Sequence, residues 1–149
     1  VLSAACGGGG MVAGQVLDMD HLAQGEADLR LLHRLKTGAM LQAAAELGCV
    51  AAGADDGLRQ RARDYGCHIG LAFQVRDDVL DVVADQGELG KPIGSDRAEG
   101  KRTFVDLLGL EACQALVAEE TAKAKAALAD LPDSGFLLNL ADHLAERRK

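Results

Sequence analysis

The sequence has no tryptophan, one tyrosine, three phenylalanines and only two prolines in 149 residues. So thin a supply of aromatics, in a chain dominated by Ala, Leu and Gly, argues against a core built from strands, which draw on Val, Ile, Thr and aromatics. No basic stripe occurs outside Arg147-Arg148-Lys149, and with a net charge of −7 this argues against a nucleic-acid partner. The four cysteines (Cys6, Cys49, Cys67 and Cys113) lack CxxC spacing. That excludes a short zinc motif or disulfide frame and suits small buried hydrophobes in a reducing cytoplasm. From Val1 to Leu17 there is no charge, yet five glycines and a short span make this a poor membrane segment. With no basic leader and no initiator Met, the chain reads as opening inside a helix, and an amino-terminal portion is expected to be missing.

What is present is helical periodicity, and the fold class expected is all-α in one domain. Apolar residues recur at Leu29, Leu32, Leu35, Ala39, Ala43, Leu47 and Val50. Gly53 ends that run, and Asp55-Asp56 offers N-caps for the next. Helices are expected over about 1–20, 28–52, 57–84, 104–131 and 135–147. Gly66 and Gly70, spaced i,i+4, would admit a second helix at close range. Glu119 and Lys123 form a supporting i,i+4 pair, and the polar, Gly- and Pro-containing stretch 85–103 reads as a loop or lid.

The most informative segment is Phe73-Gln74-Val75-Arg76-Asp77-Asp78-Val79-Leu80-Asp81. On a helix, Gln74, Asp77, Asp78 and Asp81 fall within roughly a quarter turn of arc. Neighbouring carboxylates about 5–6 Å apart repel by about 3 kcal/mol per pair at an effective dielectric near 20. A solvated acidic face is the commoner explanation of such a cluster. Here, however, Arg76 alone interrupts the patch and no i,i+4 lysine neutralises it, which favours a bound cation. All-oxygen donors without His or Cys nearby suit Mg²⁺ better than zinc or copper.

Three weaker signals surround it. Lys36-Thr37-Gly38 is either a plain solvent-facing turn or an ammonium and hydroxyl converging on a phosphate. Gly94 to Thr103 nearly matches a nucleotide P-loop, but one residue too many separates its glycines and Arg102 follows Lys101 where Ser or Thr is required. A helix rather than a strand precedes it, so the nucleotide reading fails, leaving a basic loop with Lys91 and Lys101. Gln15 either braces a neighbouring helix or touches a ligand. The four histidines share no ligand spacing.

In order along the chain come Gly14-Gln15-Val16-Leu17-Asp18, Lys36-Thr37-Gly38, Gly70 to Asp81, Gly90-Lys91 and Gly100-Lys101-Arg102-Thr103. This series resembles the carboxyl-terminal half of a trans-prenyltransferase of the polyprenyl synthetase family. The fine pattern is most similar to the bacterial farnesyl diphosphate synthases, or geranyltranstransferases. The resemblance covers essentially the whole chain but about half of the family fold.

It implies an isoprenoid-synthase bundle around an apolar cavity, in a cytoplasmic homodimer. Asp77, Asp78 and Asp81 would take up Mg²⁺, two or three ions in the complete enzyme, bridging to the allylic diphosphate. Lys36, Lys91 and Lys101 would bind phosphate oxygens, with hydrogen bonds from Thr37 and Gln74. Gln15 and Lys36 would lie near the reacting carbons, and Phe73 would help place isopentenyl diphosphate. The family's first aspartate-rich motif has no counterpart here, so the isolated chain is expected to turn over little. A geranylgeranyl or longer-chain synthase, and a non-catalytic helical module that binds diphosphate or dimerises, remain as alternatives.

Overall fold

The computed structural model describes residues 1–87 and 101–147, with residues 84–87 described by backbone alone. Its described elements are helical. They are α1 (Leu2–Cys6), α2 (Met11–Met19), α3 (Glu26–His33), a π-helical turn (Arg34–Gly38), α4 (Ala39–Ala51) and α5 (Asp56–Gly87). After residue 100 follow α6 (Phe104–Leu108), α7 (Leu110–Ala127) and α8 (Gly135–Glu146). None of these helices is long and apolar enough to cross a membrane. Of the expected lid over 85–103, residues 88–100 lie outside the described part, and Lys91 with them.

Long α5 is the spine, packing chiefly along α7 on one side and α4 on the other. Its apolar stripe, Ile69, Ala72, Val75 and Val79, is buried, with the successive steps of three and four residues of a core-facing helix. Val75 and Val79 join Leu29, Leu32, Phe104 and Cys113 in the main core cluster. A second cluster forms around Tyr65, Ile69 and Ala141, and Tyr65 donates its hydroxyl proton to the Leu137 carbonyl at 2.8 Å. Cys113 is buried as expected, whereas the other three thiols are half-buried.

Three of the expected long helices are interrupted, each for a local reason. The segment 1–20 breaks at Gly7–Gly10, where the backbone leaves the helical region at Gly10 (φ −133°, ψ −126°); four consecutive glycines pay a large entropic cost in a helix. The segment 104–131 breaks at Gly109, whose φ of 83° and ψ of 162° suit glycine alone. Before it, Thr103 and Asp106 form a reciprocal cap: Asp106 N donates to Thr103 Oγ1 at 3.2 Å and Thr103 N to Asp106 Oδ2 at 3.1 Å. The segment 28–52 stays helical but widens into a π turn at Arg34–Gly38.

Close approaches flank that π turn. A methyl group at Gly14 of α2 would overlap the backbone of Leu35 and Lys36, and one at Gly70 of α5 would lie 2.8 Å from Gly38 Cα. A little further along, one at Gly66 would lie 2.7 Å from Gln42 Cα. Gly66 and Gly70 thus perform the close-approach role their spacing suggested. At the start of α5, Asp55 Oδ1 caps the helix by accepting from Leu58 N at 2.8 Å.

A pair of glycine variants checks this packing. Gly66→Ala should lower stability by about 1–3 kcal/mol, because backbone rather than a movable side chain is in the way. Gly48→Ala, where nothing lies within 4 Å in the interior of α4, should raise it by about 0.5–1 kcal/mol. Urea unfolding followed by circular dichroism measures both; equal effects would contradict the packing described.

Candidate active site

The carboxylate face of α5, the π turn, the end of α2 and the chain at residue 101 enclose a pocket of about 260 Å³. It is lined by Asp18, Leu32, His33, Lys36, Gln74, Asp77, Asp78, Asp81 and Lys101. Six of the residues singled out from the sequence therefore meet in one place: Lys36, Gln74, Asp77, Asp78, Asp81 and Lys101. A larger cavity of about 360 Å³ lies between α5, α7 and α8. Its charged lining is Arg76, Lys125, Asp142 and Glu146, with Lys125 and Asp142 bonded to each other at 2.8 Å, and it carries none of the site residues singled out from the sequence.

Each acidic residue of the pocket is differently held. Asp78 is buried and accepts the Phe104 backbone N–H at 2.7 Å, which ties α5 to the start of α6. Asp77 Oδ1 accepts from the Arg147 guanidinium just past the end of α8. That guanidinium also lies 3.9 Å from the centroid of the Phe73 ring, a cation–π contact. Burial pushes the Asp77 carboxyl above its ordinary range, and the Arg147 charge and hydrogen bond pull the other way. Asp81, a turn further along, is exposed.

The basic side of the pocket is organised by Asp18. Lys36 Nζ is 2.6 Å from Asp18 Oδ2, and Lys101 Nζ is 3.8 Å from the same oxygen. Burial raises the Asp18 carboxyl, but the hydrogen bond and charge of Lys36, with the charges of Lys101 and His33, bring it below the ordinary carboxylate range. Thr37 Oγ1 donates to Gln74 Oε1 at 2.5 Å, fixing the amide of a pocket-lining side chain.

His33 forms part of the wall. Its ring stacks on Phe104 with centroids 5.5 Å apart and planes at 28°, and its Nδ1 is buried without a hydrogen-bond partner. Burial and the Lys36 charge hold its pKa down at about 4 against the opposing pull of Asp18. A neutral imidazole thus sits one turn from the lysine that faces the carboxylates.

Other expected residues are placed less directly. Thr37 acts through Gln74, and Phe73 carries Arg147 on its ring. Gln15 is exposed on α2 and does not line the pocket. Asp18 lines it instead, since it shares the Gly14 face one turn on. Asp18, His33 and Arg147 were missed as site residues from the sequence. Gly14-x-x-x-Asp18 carried a signal for the first, whereas the other two are brought in by chain packing at long range.

The donors are suited to a hard divalent cation, being carboxylate oxygens on one helical face. Their present arrangement is engaged elsewhere, and among the described residues no three acidic, His or Cys side chains converge closely enough to hold an ion. Arg147 holds Oδ1 of Asp77, so an ion at that oxygen would compete with the guanidinium.

Comparison with known proteins places the chain among prenyl synthases by sequence and by fold. A polyprenyl synthetase family model matches residues 3–132. A farnesyl diphosphate synthase of Escherichia coli is 42% identical over 158 residues, covering 99% of this chain and 52% of that protein. The solved polyprenyl synthase of Caulobacter crescentus, complexed with calcium and isoprenyl diphosphate, superposes with a TM-score of 0.83 at 31% identity, over 93% of this chain and 56% of that one. The geranyltransferase of Helicobacter pylori, complexed with magnesium and isoprenyl diphosphate, gives 0.75 at 35% identity, over 96% and 48%. The chain spans about half the length of the relatives it matches.

The buried His33 gives a pH test. Its pKa is lowered on folding from the ordinary 6.5 to about 4, so its contribution is complete above pH 6.5 and is lost as pH falls through 4. The loss amounts to about 3 kcal/mol. The urea midpoint should fall between about pH 7 and 4, less steeply in His33→Gln, and the His33 ring resonances should not move above about pH 5. A ring that titrates near its ordinary value would contradict the burial described.

Proposed function

The chain belongs to the polyprenyl synthetase family, and on that premise we propose that it supplies one wall of a trans-prenyltransferase site. The reaction proposed joins an allylic diphosphate to isopentenyl diphosphate with release of diphosphate, reaching farnesyl diphosphate in one condensation from the geranyl substrate and in two successive ones from the dimethylallyl substrate. The observation that carries this reading is the meeting of Lys36, Lys101, Gln74 and the Asp77–Asp81 face in one pocket.

Asp77, Asp78 and Asp81 are the residues that would hold Mg²⁺, and the bound ion would offset the negative charge that grows on a departing diphosphate. Lys36 and Lys101 are proposed to grip phosphate oxygens as point charges. Gln74, its amide oxygen engaged by Thr37, would present its N–H₂ group to the same oxygens. As the allylic C–O bond breaks, its electron pair leaves with the diphosphate. The isopentenyl double bond then supplies the electrons of the new C–C bond, and loss of a proton restores an alkene. Apolar neighbours such as Leu32 would limit water, which otherwise captures the cation.

Further parts of the proposal concern the surroundings. Met11, Val12, Val16, Met19 and Leu22 are exposed on and beside α2, which supports further packing there, as a homodimer requires. Since the carboxylate face is one wall only, the isolated chain should run far below ordinary synthase rates. A cytoplasmic location is part of the same reading.

Calorimetric titration of inorganic diphosphate into the chain tests the proposal. Binding should be much tighter with Mg²⁺ than in EDTA, lose that gain in Asp81→Ala, and weaken by about tenfold to a hundredfold in Lys36→Ala. Equal affinity with and without the metal would sink the reading.

A further inference from the structure

The position of Asp18 has a consequence for how the pocket selects its ligand. Gly14 lets α2 lie directly against the backbone of Lys36, and Asp18, one turn further on, then faces the lysine side chain. Two ammoniums, from the π turn and from the chain at residue 101, converge on the single oxygen Oδ2 at 2.6 and 3.8 Å. A phosphate oxygen bridging Lys36 and Lys101 would need the same convergence of donors. The Asp18 side chain is only 15% exposed, so this pair is screened less than a surface one.

We infer that Asp18 is an internal counter-ion, occupying the anion seat of Lys36 and Lys101 until a diphosphate displaces or shares it. The inference rests on the reading that this pocket takes a diphosphate. Its consequence is selectivity. With Asp77, Asp78 and Asp81 on the opposite wall, a free anion meets carboxylates on both sides and lysines that are already engaged. Phosphate or sulfate, which brings one anionic centre, gains too little to displace Asp18. A diphosphate accompanied by a divalent cation gains contacts on both walls at once. A purely structural ion pair, tying α2 to the π turn, would instead leave anion binding unchanged or weaken it when broken.

Titration of the 149-residue chain with inorganic diphosphate in EDTA separates the two. Asp18→Asn should bind metal-free diphosphate at least about tenfold more tightly than the wild type. Asp18→Glu should behave as the wild type, and adding Lys36→Gln to Asp18→Asn should abolish the gain. A folded Asp18→Asn with unchanged or weaker metal-free binding overturns the inference. The wild type offers a second measurement that needs no substitution. The Asp18 carboxyl carbon resonance should shift when Mg²⁺-diphosphate is added and hold its position in sulfate, and a resonance unmoved by Mg²⁺-diphosphate overturns the inference. Failure of the wild type to bind diphosphate with Mg²⁺ would remove the diphosphate reading, while the comparison of variants in EDTA bears on Asp18 alone.

Discussion

The site depends on one steric constraint: a π turn clasped between two helices that approach it through glycine. Gly14 brings α2 onto Leu35 and Lys36, while Gly70 lets α5 pass against the backbone of Gly38 on the other side. A side chain at Gly14 or Gly70 would drive the helices apart. The Asp18–Lys36 and Thr37–Gln74 bonds would then be lost, because α2, the π turn and α5 carry their partners separately. The widened turn also moves Lys36 and Thr37 off the register of an ordinary helix. The charged chemistry is therefore a product of backbone packing, which cannot relax by moving a flexible side chain.

Electrostatics then divides the pocket into engaged pairs. A bare acidic face would suffer the repulsion that first drew attention to Asp77, Asp78 and Asp81, yet the protein relieves part of it by its own means. Arg147 attends Asp77 and the Phe104 N–H attends Asp78. Across the pocket, Asp18 attends Lys36 and Lys101. Local groups thus already satisfy much of the charge that a metal and a diphosphate would satisfy. In such a site, ligand binding is an exchange of partners rather than the filling of an unscreened field. The proposed synthase chemistry inherits this balance, since each wall exchanges or shares a protein contact when it grips a ligand.

Most of the fold was legible because it rests on short-range regularities. Periodicity found α5 and α7, the Asp55 cap was readable at the start of α5, and the i,i+4 glycines foretold close helix contact. The breaks at Gly7–Gly10 and Gly109 escaped notice because an Ala- and Leu-rich pattern runs through them, although four glycines and the Thr103-x-x-Asp106 cap were both visible. In the site, the Asp77–Asp81 face and Lys36 were readable as local motifs. Arg147 and His33 were not, since Arg147 reaches Asp77 across 70 residues of chain and His33 meets Phe104 only through tertiary stacking. Gln15 drew attention as a polar residue in apolar surroundings, but the face set by Gly14 belongs to Asp18.

The most direct test of the central claim is an experimental structure of the chain with Mg²⁺ and inorganic diphosphate. The account predicts an ion beside Asp77 or Asp81, a phosphate oxygen on Lys36, and the Arg147 guanidinium withdrawn from Asp77. An anion seated elsewhere, with the carboxylates of α5 turned to bulk solvent, would contradict it.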